Sequence, residues 1–328
     1  MRATARLVAL FAAVVALGRS MTVDPLLPEY EPRAVASPKG ASYVTPDGAI
    51  AVIGYNDMAE MLMVIGARFG AAHPGFRFAW NLSGTKAAPA ALAPGRSAFA
   101  PMGAPMTPPQ LADYEKITRA PPLVIRIAHA SLKPQALSGP LAIFVHRDNP
   151  LSSLTLEDLA EIFAGMDSRR GLRPCGVAAE AALGLFFRER VLGQRKFAAD
   201  FVALAQSAEV VQRVGEDAHA IGFAAACRAT AAVKMIALVE RAGEAPIALT
   251  EETIIAGRYP LDRHLLICLR TPVEPWISEF LRFVLSRDGQ QIIADGSLGY
   301  LPLNAQDVAG ERSKLDLAAN HGEFLKTN

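Results

Sequence analysis

The chain has 328 residues, enough for about two domains of ordinary size, and 51% of its residues are hydrophobic. This composition excludes a mostly disordered chain. The 33 Lys and Arg residues are balanced by 32 Asp and Glu residues, so the formal net charge is only +1. Because nucleic-acid-binding proteins usually carry a basic excess, the balance argues against a nucleic-acid partner.

Cysteine and histidine spacing predicts neither a metal centre nor a disulfide framework. The three cysteines, Cys175, Cys227 and Cys268, are far apart and form no CxxC pair. The six histidines show no spacing typical of metal ligands. We therefore expect no metal and no cofactor, and the pairing state of the cysteines stays open.

The N-terminus has the pattern of an export signal. Arg2 and Arg6 precede an uninterrupted apolar run over residues 7–17, which is too short to span a bilayer. We predict a signal peptide over residues 1–20, with an uncleaved N-terminal anchor as the alternative. Residues 21–47 contain several prolines and little periodicity, and are predicted to be a linker.

The first part of the folded body alternates strands and helices. Strands are predicted over residues 49–54, 76–80 and 99–103, and helices over 58–69, 86–92 and from Pro108, where Thr107 is the N-cap. This βαβαβα order predicts a parallel, doubly wound sheet.

The remainder is also predicted to be mixed α/β. Strands are predicted over residues 123–128, 140–145, 220–223, 233–239 and 264–269. Helices are predicted over 156–163, 178–192, 197–205, 208–214, 275–285 and 288–294. Thr155 and Asp158 form a capping box for the first of these helices.

Polar turns follow the strands of the first part, and one of them suits an anion. Ser83 and Thr85 supply two hydroxyls on either side of Gly84, which allows close approach of the backbone. Strand ends that meet helix N-termini favour negative charge. On their spacing alone, the same residues are more typical of ordinary helix caps and turns than of an anion site.

An ordered set of short stretches resembles the phosphate-type periplasmic solute-binding proteins, which are ABC-transporter substrate-binding proteins of the type 2 periplasmic binding protein fold. The stretches are Gly54-Tyr55-Asn56-Asp57-Met58, His73-Pro74-Gly75, Leu82-Ser83-Gly84-Thr85, Ala220-Ile221-Gly222-Phe223 and Gly299-Tyr300-Leu301-Pro302-Leu303, with residues 95–102, 142–151, 255–261 and 280–293 in the same order. The resemblance covers residues 50–303.

The resemblance implies an α/β chain of two lobes, each a mainly parallel sheet flanked by helices. On this basis residues 48–130 plus 240–328 form the first lobe and residues 131–239 form the second lobe. A monomer that closes about a hinge onto a small anion or solute is expected, together with a membrane permease complex as partner and a periplasmic location.

Carried over by motif, the resemblance implies a set of ligand-binding residues in the first lobe: Tyr55, Asn56, Asp57, Ser83, Gly84, Thr85, Met102 and Gly103. Two departures argue against phosphate itself. The third ligand loop lacks the family's aspartate, and residues 177–183 of the second lobe lack its arginine and two hydroxyls.

The sequence therefore predicts a secreted solute-binding protein without catalytic residues. The alternative is a sensory or scaffold protein that keeps the fold and binds a protein partner. An enzyme is disfavoured because the sequence offers no nucleophile, base and orienting group that could act together.

Overall fold

A computed structural model of the chain describes residues 22–167 and 171–324. The predicted signal peptide, residues 1–20, lies outside these described residues and stays a prediction.

Strands and helices alternate through the described chain. The strands are β1 Ile50–Ile53, β2 Phe78–Asn81, β3 Ala100–Met102, β4 Leu123–His129, β5 Leu141–His146, β6 Ser153–Thr155, β7 Arg173–Val177, β8 Val202–Leu204, β9 Ala220–Ala225, β10 Val233–Met235, β11 Ala237–Val239 and β12 His264–Leu269. The α-helices are α1 Ala59–Ala72, α2 Ala88–Leu92, α3 Pro108–Thr118, α4 Leu156–Phe163, α5 Ala182–Phe187, α6 Ser207–Glu216, α7 Glu251–Ile255, α8 Pro275–Val284, α9 Arg287–Ala294 and α10 Ala305–Phe324.

The sheets are mixed. In the first lobe β1 and β2 are parallel, whereas β12 lies between β3 and β4 and is antiparallel to both. The chain leaves this lobe along β4 and returns along β12, so these neighbouring strands run in opposite directions. The α/β class is as predicted, and the crossing strands explain why the pairing is less parallel than the helix–strand alternation suggested.

The second sheet has the order β10-β5-β9-β7-β8. Its pairs are antiparallel from β10 to β9 and parallel from β9 to β8. The C-terminal ends of β7 and β8 lead directly to the N-termini of α5 and α6, which places two turns at one edge of the sheet.

Two large hydrophobic cores underlie the two lobes. The first draws on residues 23–136 and 265–315, and the second on residues 141–261 with Leu301. Ile254, Tyr259 and Leu261 pack in the second core, although our division of the chain assigns them to the first lobe. The division itself stays a prediction.

The segment predicted as a linker is packed against the first lobe. Val23, Leu27 and Tyr43 are buried in the first core, and the Asp24 carboxylate accepts a hydrogen bond from the Ala305 amide at the start of α10. Little periodicity correctly indicated a stretch without helices. It did not indicate a free linker, because a few well-spaced apolar side chains are enough to anchor an irregular segment.

Local predictions are confirmed in several elements, and one predicted helix is absent. Helix α4 and strand β12 have the predicted bounds. The helix predicted over 197–205 is wrong, since β8 lies there instead. Phe197 and Phe201, four residues apart as on a helix face, stack with ring centroids 4.1 Å apart in an irregular segment.

Candidate ligand-binding site

A cavity of about 420 Å³ lies between the two lobes. It is lined by the first-lobe strand ends, by the segments that connect the lobes and by the second-lobe turns: Tyr55, Thr85, Lys86, Gly103, Ala104, Pro105, Thr107, Gln110, Leu137, Ser138, Val177, Ala181, Ala182, Leu183, Ala205, Gln206, Ser207 and Arg263. Three of the eight predicted ligand-binding residues, Tyr55, Thr85 and Gly103, are in this lining.

Tyr55 joins the first lobe to the connecting segment. Its hydroxyl lies 2.9 Å from the Ser138 Oγ, and that hydroxyl in turn donates to the Gly103 carbonyl over 3.3 Å. Burial raises the pKa of the Tyr55 phenol, so the group stays neutral and can donate a hydrogen bond.

Thr85 and Gly103 fix each other. The Gly103 amide donates to the Thr85 Oγ1 over 3.1 Å, which leaves the Thr85 hydroxyl hydrogen free for a ligand. A Cβ atom on Gly103 would lie 2.6 Å from the Tyr55 ring, so only glycine fits at this position.

Asp57 ties the binding turn to the rest of the molecule. Its Oδ2 accepts hydrogen bonds from the Leu137 amide and the Tyr300 hydroxyl, both over 2.7 Å. Asp57 does not line the cavity. The carboxylate therefore positions the connecting segment beside the cavity.

The remaining predicted residues lie outside the lining. Asn56 and Ser83 are exposed, and the Gly84 amide donates to the Gly54 carbonyl. Met102 is fully buried, and its side chain packs in a small third core. The geometry thus concentrates the predicted site on Tyr55, Thr85 and Gly103.

The second-lobe wall is largely apolar, as residues 177–183 indicated. Val177, Ala181 and Leu183 face the cavity. The helix predicted over 178–192 begins only at Ala182, after an Ala181 N-cap without a side-chain hydrogen bond, and its end continues as a π-helical turn over Arg188–Leu192. Residues 178–181 are rich in alanine, which favours a helix. They lack a capping side chain that would let the helix begin before Ala182.

Polar groups reach the cavity from a neighbouring turn that sequence reasoning missed. Gln206 and Ser207 lie between β8 and the first turn of α6, and both line the cavity. The sequence analysis missed this turn because it predicted a helix over 197–205. The structure has strand β8 there, and the turn follows the end of that strand.

Arg263 is the second missed residue. Its guanidinium is buried and lines the cavity, where Nη2 donates to the Gly103 carbonyl over 3.2 Å and Nη1 to the Gly139 carbonyl over 3.4 Å. No described carboxylate forms an ion pair with it within 4.0 Å. Burial lowers the pKa of Arg263 from its very high ordinary value, and the side chain remains a cation.

The cavity is positive overall. Its lining holds Arg263 and Lys86 and contains no Asp or Glu. A buried cation without a charged partner is costly, and an anionic ligand would remove that cost. The arrangement can hold a small anion through hydroxyl, amide and guanidinium donors.

Within the part of the chain that the structure describes, no helix combines the length and the apolar character needed to cross a bilayer.

Two lobes around a cavity with an apolar wall and a few convergent hydroxyl, amide and guanidinium groups are typical of a solute-binding protein. Comparison with known proteins agrees. Residues 54–288 match the family model described as a PBP superfamily domain, and the chain belongs to this superfamily. The predicted family and the prediction of a binding protein instead of an enzyme are confirmed.

Named relatives point to the same group. Two phosphate-binding proteins PstS, from Pseudomonas aeruginosa strains PAO1 and UCBPP-PA14, are each 28% identical to this chain over an alignment of 335 residues. The alignment covers 93% of this chain and 95% of theirs. Solved structures share the fold at lower identity. PstS from Borrelia burgdorferi has a TM-score of 0.53 at 14% identity and covers 78% of this chain and 99% of its own. An ABC-type phosphate transport receptor from Vibrio cholerae has a TM-score of 0.52 at 20% identity and covers 77% and 99%.

Proposed function

We propose that the chain is the substrate-binding component of an ABC transporter and takes a small oxyanion into the cavity between its lobes. One observation carries the proposal: the buried Arg263 guanidinium lines a cavity that contains no carboxylate. The names of the Pseudomonas aeruginosa relatives support phosphate or a similar tetrahedral oxyanion.

Arg263 compensates for part of what residues 177–183 lack. The resemblance implies an arginine and two hydroxyls in that stretch, whereas this chain presents Val177, Ala181 and Leu183. In the proposed site the positive charge comes from the strand that returns to the first lobe, and Ser207 supplies a hydroxyl from the next turn. A changed donor set predicts a changed preference among oxyanions.

The binding residues of the proposal are three of the predicted residues and two that the sequence did not indicate. Tyr55, Thr85 and Gly103 would contact or frame the ligand from the first lobe. Arg263 and Ser207 would do so from the connecting strand and the second lobe. Closure of the lobes would bury the ligand and strengthen these hydrogen bonds by excluding water.

A periplasmic location, a monomeric state and a permease complex as partner belong to the same proposal. The apolar N-terminal sequence supports the location, and the relatives, whose names describe phosphate binding and phosphate transport, support the permease partner. The scaffold alternative is less favoured, because a partner protein gives no reason for a buried guanidinium without a charged partner in the cavity between the lobes.

Thermal unfolding of the purified chain with phosphate, sulfate, arsenate, molybdate and small organic acids tests the proposal. One oxyanion at a hundred times its dissociation constant should stabilise the protein by about 2.7 kcal/mol. Isothermal titration with the best ligand should then give one site per chain.

Variants connect that binding to the cavity. Arg263→Gln removes the charge, and we expect a loss of about 1.5–3 kcal/mol in binding free energy, roughly 10- to 100-fold in affinity. Lys86→Gln should have a smaller effect, since Lys86 is exposed. The control Arg241→Gln, an exposed arginine outside the cavity, should bind as the wild type does. Failure of every oxyanion to stabilise the protein, or equal affinity in the Arg263 and Arg241 variants, would contradict the proposal.

A further inference from the structure

Two histidines and an aspartate meet where the chain passes between the lobes. His129 ends β4 and His264 begins β12, and the two residues are directly opposite each other in the antiparallel pair. The Asp262 Oδ2 lies 2.6 Å from the His129 Nδ1 and 3.4 Å from the His264 Nε2. The three ligand atoms all lie within 4.8 Å of one another.

The cluster is buried at one end and reachable at the other. The His129 side chain is 1% exposed and the Asp262 side chain 9%, whereas that of His264 is 19% exposed. A small ion could therefore enter from the His264 side without unfolding of the lobe.

One buried atom of the cluster lacks a partner. The His129 Nε2 has no hydrogen bond, and its nearest carboxylate oxygen, Oδ2 of Asp307, is 4.0 Å away. With Nδ1 protonated toward Asp262, the Nε2 lone pair would face that carboxylate. An ion bound at Nδ1 would reverse the tautomer and turn an N–H group toward Asp307.

We propose that His129, Asp262 and His264 form a binding site for a divalent cation of the zinc type, with Asp307 orienting His129 from behind. Two imidazole nitrogens and a carboxylate oxygen are a ligand set that Zn²⁺ takes, with a water in the fourth position. Zinc bonds of 2.0–2.2 Å require ligand atoms about 3.3 Å apart, so shifts of an ångström or less would complete the site. A carboxylate behind a ligating histidine is a common second layer of such sites.

Three cationic side chains lie near the cluster: Arg126, Lys314 and Arg263. Lys314 is paired with Glu311, and Arg263 donates to two carbonyl groups. The nearby Arg126 is paired with Asp307 and Glu311, which offsets its charge.

Sequence spacing could not have predicted this site, because 133 residues separate His129 from Asp262. Strand register brings them together. The site does not depend on the oxyanion proposal, since Asp262 faces His129 while the adjacent Arg263 faces the cavity.

Zinc titration of the full chain tests the inference directly. After treatment with chelator and removal of the chelator, calorimetry in an oxyanion-free buffer should show one Zn²⁺ per chain. Asp307→Asn should weaken binding about 10- to 100-fold. His264→Gln and Asp262→Asn should weaken it by more than that. His219→Gln, an exposed histidine outside the cluster, is the matched control and should leave affinity unchanged.

Substitution of Co²⁺ for Zn²⁺ identifies the ligands. A visible spectrum typical of nitrogen and oxygen ligands, lost in the His264 variant, is expected. Absence of stoichiometric zinc binding would overturn the inference, and so would equal binding by the His264 and His219 variants. A thiolate-to-cobalt band would also overturn it, because the proposed site contains no cysteine. Circular dichroism checks that each variant is folded. If His264→Gln does not fold, the isosteric Asp262→Asn decides the question.

Discussion

At the scale of single residues, many polar groups around the cavity form hydrogen bonds with one another and so fix the shape of the cavity wall. Asp57 binds Leu137 and Tyr300, and the Gly103 amide binds Thr85. The sequence grouped Asp57, Thr85 and Gly103 in one predicted site and did not indicate Leu137 or Tyr300 as their partners. It could not assign their roles, because whether a polar atom is free or engaged depends on contacts between residues far apart in the chain.

Arg263 shows the limit of that reasoning most clearly. Its neighbours give no motif, and the residue lies at the entry to a strand where an arginine would ordinarily be exposed. Only the opposite directions of the Asp262 and Arg263 side chains, one toward His129 and the other toward Gly103, make the guanidinium a lining group.

Gly103 gives a prediction at this scale. In Gly103→Ala the new Cβ would meet the Tyr55 ring at 2.6 Å and the Ser138 Oγ at 2.9 Å. We expect a loss of about 1–3 kcal/mol in the free energy of unfolding and weaker oxyanion binding, because Tyr55 must move. Urea unfolding and calorimetry measure the two effects.

Gly310→Ala is the matched control for this change. Gly310 is exposed in α10, and a Cβ there meets nothing within 4 Å. The same substitution should stabilise the protein by about 0.5–1 kcal/mol, since alanine favours the helix. Equal effects at the two glycines would show that Gly103 is not sterically required.

At the scale of elements, periodicity and caps predicted helices best where both agree. Helix α4 combines an apolar stripe with the Thr155–Asp158 capping box and has the predicted bounds. Helix α5 has no such cap, and its start was predicted four residues too early. Strand β8 was missed because three residues carry too little pattern to outweigh the helical spacing of Phe197 and Phe201.

The missing cap of α5 leads to a prediction. Ala181→Ser would supply a side-chain acceptor for the amides of the first turn, and should stabilise the protein by about 0.5–1 kcal/mol. The same hydroxyl lies in the cavity lining, so affinity for the oxyanion should rise. Urea unfolding and calorimetry check both effects.

Ala309→Ser, at an exposed position in the second turn of α10, separates capping from a general effect of serine. That variant should lose a few tenths of a kcal/mol, because serine is a weaker helix former than alanine. A gain at both positions would contradict the capping explanation.

At the scale of the whole molecule, the two-lobed α/β fold follows from the order of motifs along the chain. The packing of the N-terminal segment does not. Tyr30 donates to the buried Glu279 over 2.9 Å and lies 2.5 Å from the His73 Nε2, while the Arg33 amide also donates to Glu279. Contacts between residues 43 to 249 positions apart in the chain have no local signature.

His73 makes this packing sensitive to pH. Burial lowers the pKa of His73 below its ordinary value, although Glu279 opposes the shift. The folded state therefore binds a proton less readily than the unfolded chain, and stability present above about pH 6.5 should be lost as the pH falls below it. Urea unfolding at pH 7.5 and 5.0 should show the decline, and His73→Gln should reduce it. In the exposed His219→Gln control the full decline should persist; a decline identical in both variants would rule out His73 as its source.

The two cores differ in the length of chain that must be present before each can form. The second assembles almost entirely from one continuous stretch, residues 141–261, whereas the first needs side chains from Val23 to Leu315. During synthesis or translocation the second lobe can therefore consolidate while the first still lacks its closing helix. While residues 262–315 emerge, the first lobe is unfinished, and its apolar surface is open to chaperones or to aggregation.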